Sequence, residues 1–69
     1  MPGDVGLVAG LLTKIFGWAV DPDGFAKMKL DHQLEVIHSG IKVALDRGDS
    51  DAVDALFEQY RELSRRTGP

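Results

Sequence analysis

The sequence predicts an all-α protein of three helices, and three observations carry that expectation. Apolar residues recur at spacings of three and four in the second half of the chain, the period of a helix with one buried face. Two punctuation marks, Asp21-Pro22-Asp23-Gly24 and Gly48-Asp49-Ser50, divide the chain into three segments. No segment alternates apolar and polar residues with the period of two that marks a strand. The expected architecture is a single domain over residues 1–69, with an apolar, glycine-containing first helix followed by an antiparallel helical hairpin.

The first helix is expected over residues 4–20. Asp4 can cap its start, because a carboxylate there accepts from the free N–H groups of the first turn. Pro22 ends the segment, since proline disfavours helical geometry in the residue before it and cannot donate to the turn above. The same Asp21-Pro22 pair reads as a cap with proline at the first helical position, so a second helix is expected to run from Pro22 to Arg47. Its stripe is Leu30, Leu34, Ile37, Ile41 and Ala44, with Leu45 beside it. A second, thinner stripe of Phe25, Val36 and Val43, flanked by Met28, lies about 140° away, which predicts a helix touching two neighbours.

Gly48 suits the left-handed residue just past a helix end, and Asp49 or Ser50 can cap the third helix, expected over residues 51–66. There Val53, Leu56, Phe57, Tyr60 and Leu63 share one face, and Asp54, Glu58, Arg61, Glu62 and Arg65 the other. Glu58–Arg61 and Glu62–Arg66 stand at spacings that permit weak helical ion pairs.

The first helix is the unusual element. Gly6, Gly10, Gly17 and Thr13 fall within about 60° of one another on a helix, a ridge without bulky side chains. Each glycine costs a helix about 1 kcal/mol relative to alanine, so the ridge calls for close helix packing. The partner is either another helix of the same fold or the backbone of another molecule. The remaining arc carries Val5, Leu7, Val8, Leu11, Leu12, Ile15, Phe16, Trp18 and Val20, with Lys14 the one charge in the run. One helical hairpin cannot cover so wide an arc, and the excess is expected in a dimer, on a partner protein or on a membrane surface. The protein-interaction residues expected from this arc are Leu7, Leu11, Leu12, Ile15, Phe16 and Trp18, with the two aromatic rings as its energetic centre.

Composition narrows the function. The chain has 69 residues and no cysteine, so disulfides and thiolate metal sites are excluded. A domain this small buries only roughly 60% of the surface its unfolded chain exposes. Packing against itself or a larger body is the remaining support. The net charge of −3 and the lack of a basic stripe argue against nucleic acid. The start Met1-Pro2-Gly3-Asp4 lacks the basic residues of a secretory signal. The apolar run 5–20 is shorter than the roughly 20 residues of a span and contains Lys14.

Chemistry-bearing residues do not assemble into a known motif. His32 and His38 point about 120° apart on a helix, and Asp31, Glu35 and His38 share a face without a fourth ligand. Ser39 adjoins His38 on a helix, where neighbouring side chains diverge. The glycines lack the strand context and Lys-Ser/Thr ending of a phosphate loop. Arg47-Gly48-Asp49 is explained by a helix end and a cap. The expectation is a non-catalytic binding protein with no cofactor and no metal.

The order of these features resembles a type of small protein of tailed bacteriophages. The residues that carry the likeness are Phe16-Gly17-Trp18-Ala19-Val20-Asp21-Pro22-Asp23-Gly24 and Leu56-Phe57-Glu58-Gln59-Tyr60-Arg61-Glu62-Leu63, joined by an amphipathic hairpin. The resemblance implies a phage-encoded virion component or host-directed binding protein, located in the virion or the host cytoplasm. It carries over no catalytic residues. A membrane-associated lysis accessory, with the first helix lying in the interface, is the alternative.

Overall fold

A computed structural model describes residues 2–66, with side chains from Gly6 onward. Four helices follow one another: α1 (Pro2–Phe16), α2 (Pro22–Ala26), α3 (Leu30–Arg47) and α4 (Ser50–Arg65). The helix expected over Pro22–Arg47 is therefore two helices. Phe25 explains the break. In one continuous helix it would point about 140° away from the Ile37–Ile41 stripe. With the chain bent at residues 27–29 it is buried in the core, 2% exposed. Lys29 takes an extended conformation at the bend (φ −63°, ψ 151°). Inside the bend, Gln33 Nε2 donates to the Phe25 carbonyl at 2.8 Å, beside the Met28 N–H that donates to the same oxygen at 3.1 Å.

The punctuation acts as its chemistry predicts. Asp21 Oδ2 accepts from the Gly24 N–H at 3.1 Å, and Pro22 opens α2. Gly48 ends α3 in the left-handed conformation (φ 73°), and Asp49 Oδ1 accepts from the Ala52 N–H at 3.2 Å. This two-residue turn returns the chain so that α3 and α4 pack as a hairpin. The first helix begins at Pro2, ahead of Asp4, whose side chain lies outside the described residues. It stops at Phe16 because Gly17 is left-handed (φ 83°), rather than continuing to residue 20.

α1 packs on α2, α3 and α4. One core results, built from Val8, Leu12 and Ile15 of α1, Phe25 of α2, Ile37, Ile41 and Ala44 of α3, and Ala52 and Leu56 of α4. Two residues assigned to the hairpin's inner faces point outward instead: Leu45 and Phe57 are exposed. The ion pairs among the described residues are Lys27–Asp23 at 3.4 Å and Arg65–Glu62 at 3.6 Å, not the two expected. Both are solvent-exposed pairs, which contribute little to stability.

Candidate functional site

The end of α1 is held by one threonine. Thr13 Oγ1 donates to the Ala9 carbonyl at 2.8 Å and accepts from the Val20 N–H at 2.9 Å. Gly17 N–H closes the last turn on the Thr13 carbonyl at 3.0 Å. Residues 17–20 are thereby folded back over the helix end. Thr13 stands on the ridge with the glycines, but its role is this clamp, and only the folded-back geometry reveals it.

The clamp fixes two aromatic rings. Phe16 and Trp18 stack with ring centres 4.9 Å apart and planes 9° from parallel. Phe16 is half-buried and faces Gly40 of α3, while Trp18 lies outside it, 63% exposed. A stacked aromatic pair contributes about 0.5–1.5 kcal/mol beyond the area it buries. Beside the pair runs an open groove lined by Ala19, Val20, Met28, Val36 and Ser39. The indole N–H of Trp18 has no hydrogen-bond partner among the described residues.

The expected interaction residues separate into two sets. Leu12 and Ile15 are interior, 0% and 1% exposed, and belong to no surface of the folded chain. Leu7 and Trp18 are exposed, and Leu11 and Phe16 are half-buried against the core. The apolar arc of the first helix is thus largely covered by its own chain.

Within the chain, the glycines expected to serve close helix packing meet no other helix. A Cβ added at Gly6 or Gly10 would meet nothing within 4 Å, so that ridge faces open space. Gly17 is a helix terminator. Close approach occurs instead at Gly40, where an added Cβ would stand 2.7 Å from Leu12 Cδ2 and 3.3 Å from Leu56 Cδ1. Gly40 is the point at which α1 and α4 both press on α3, and nothing in its sequence neighbourhood marks it.

A second concavity lies between α1, α2, α3 and α4. It has a volume of about 250 Å³, with Val8, Phe25, Met28 and Leu63 as its apolar walls and Gln33 and Gln59 among its polar ones. Gln33 is 8% exposed, and its Nε2 is held by the Phe25 carbonyl. That bond leaves Oε1 as the free acceptor, and it makes no hydrogen bond among the described residues. No fully buried side-chain polar atom among the described residues lacks a partner, so this oxygen is reached from outside.

Among the described residues no three His, Asp or Glu side chains converge to hold a metal ion, and no helix is long and apolar enough to cross a membrane. The chain matches no family model, no curated protein and no solved structure.

Proposed function

We propose that this chain is a small non-catalytic interaction protein, phage-encoded, that self-associates or docks on a protein partner through the end of its first helix. The observation that carries the reading is the Phe16–Trp18 stack. A tryptophan 63% exposed, braced by a second ring and a threonine clamp, is a rigid apolar projection beside an apolar groove. Aromatic anchors of this kind dominate interface energetics. The structure supports protein rather than lipid as the occupant. The wide arc that suited a membrane surface is used inside the fold, and the outer face of α1 presents Gly6, Leu7, Gly10 and Lys14. That is too thin an apolar face for an interfacial helix.

The test is a sedimentation series on the full chain with the variants Trp18→Ala and Glu58→Ala. Trp18→Ala is expected to weaken association at least about 30-fold, the scale of an interface hot spot, and Glu58→Ala to leave it unchanged. Equal association of the two variants would remove the surface from consideration. Flotation of the chain with liposomes would move it to the membrane.

A further inference from the structure

Four residues between α1 and α2, Gly17-Trp18-Ala19-Val20, fold back over the helix end with little to hold them. Gly17, Trp18 and Ala19 are exposed, and Val20 is half-buried against the core. Among the described residues, the hydrogen bond that ties residues 18–20 to the rest of the chain runs from the Val20 N–H to Thr13 Oγ1, at 2.9 Å. Its geometry follows from the threonine. A hydroxyl has one proton, and here that proton goes back to the Ala9 carbonyl at 2.8 Å, as a helical threonine allows. The oxygen lone pairs are left for the Val20 N–H. Gly17 sets the direction of the return. Its N–H closes the last turn of α1 on the Thr13 carbonyl at 3.0 Å, and its left-handed φ of 83° turns the chain back. At the other end Asp21 is fixed as the cap of α2.

The segment also shapes the groove. Trp18, Ala19 and Val20 line it together with Met28 of the bend and Val36 and Ser39 of α3. The indole lies flat on the Phe16 ring, with centres 4.9 Å apart. One hydrogen bond, one ring stack and one half-buried valine are weak restraints beside a packed core, and segments with few buried contacts open at lower free energy than the whole fold.

We infer that residues 17–20 form a strap that pivots at Gly17, is latched by the Thr13 hydroxyl, and opens while the four-helix core stays folded. Closed, the strap holds Trp18 on Phe16 and forms part of the groove. Open, it frees the indole and bares the Phe16 ring. The latch thus controls which apolar surface the end of α1 presents. The strap belongs to the chain alone and stands whether or not Trp18 anchors an interface.

Hydrogen exchange of the Val20 amide, read by NMR on the full chain against the Ile37 amide of the core, tests the strap. In the wild type the Val20 N–H is expected to be at least about tenfold less protected than that of Ile37. Its exchange is expected to respond weakly to urea, because opening the strap exposes little surface. Equal protection with equal urea slopes would show that the segment moves only when the whole chain unfolds, and it overturns the inference. Thr13→Val removes the hydroxyl and keeps the shape. It is expected to lower Val20 protection a further 3- to 10-fold, roughly the size of one lost hydrogen bond, and to leave Ile37 unchanged. Thr13→Ser keeps the hydroxyl and is expected to stay close to the wild type. Gly17→Ala adds no collision, only strain at the positive φ, and is expected to act as Thr13→Val does. Anisotropy decay of the one tryptophan gives a separate reading: a fast component is expected to grow in Thr13→Val and not in Thr13→Ser. Unchanged Val20 protection in Thr13→Val overturns the latch. A fall shared in full by Ile37 makes Thr13 a residue of the whole fold and overturns the separate opening.

Discussion

The two faces of α1 carry different side chains and do opposite things. The inner face, Val8, Ala9, Leu12 and Ile15, is buried in the core of the chain itself. On the outer face, Gly6, Leu7, Gly10 and Lys14 are exposed. What separates them is shape as much as hydropathy. The branched side chains fill the space above α3 and α4, while the glycines stand where nothing approaches. A helix that reads as apolar nearly all round is therefore a structural element on one side and an unsupported one on the other. At its end the chain folds back and holds Trp18 outside the core.

The sharpest test of the inner face is Leu12→Ala. Truncating a leucine buried at 0% exposure costs roughly 3–5 kcal/mol in transfer and cavity terms. A core of this size rarely supplies more than roughly 3–5 kcal/mol in all. The variant is expected to be largely unfolded at 25 °C, as read by a urea titration followed by circular dichroism. A loss below about 1 kcal/mol would mean that α1 does not close the core and that the two faces are alike after all.

The contrast also shows what could be read in advance. The hairpin was legible because Ile37, Ile41 and Ala44 keep helical spacing and because Gly48-Asp49 is a turn by its own chemistry. The inner side of α1 was not, because its apolar arc is wider than the side the other helices cover, and periodicity does not say which part of the arc is buried. The bend at residues 27–29 was hidden for a different reason. Lys27-Met28-Lys29 contains no glycine or proline, and the break comes from the burial of Phe25 and the reach of Gln33, both tertiary effects. Of the candidate site, Trp18 and Phe16 were visible as aromatic residues near a helix end. Thr13 and Gln33 were not, since each acts through one hydrogen bond that only the folded chain creates.

A smaller effect is expected at Gly40, where the inner face of α1 touches α3. In Gly40→Ala the new methyl collides with Leu12 Cδ2 and crowds Leu56 Cδ1, both in fully buried side chains. Overpacking costs about 1–3 kcal/mol, offset by about 1 kcal/mol of helix propensity. A net loss of about 1 kcal/mol is expected from a urea melt. The double variant Leu12→Ala/Gly40→Ala sharpens the comparison. The space vacated by Leu12 accepts the methyl, so the second substitution is expected to cost nothing or to stabilise. Additive losses would show that the two residues are not in contact.

The smallest effect has the opposite sign and tests the outer face. At Gly10 an added Cβ meets nothing, so Gly10→Ala gains helix propensity without crowding, about 0.5–1 kcal/mol of added stability in a thermal or urea melt at low concentration. The two glycine substitutions thus separate the faces by sign alone: loss at Gly40, gain at Gly10. Concentration extends the test. If association runs through Trp18, the outer ridge of α1 stays uncovered, and the gain at Gly10 persists when the chain is fully associated. If the gain turns into a loss as association rises, another backbone has come against the ridge. The small residues would then be the contact, and the place of Trp18 as the anchor would have to be given up.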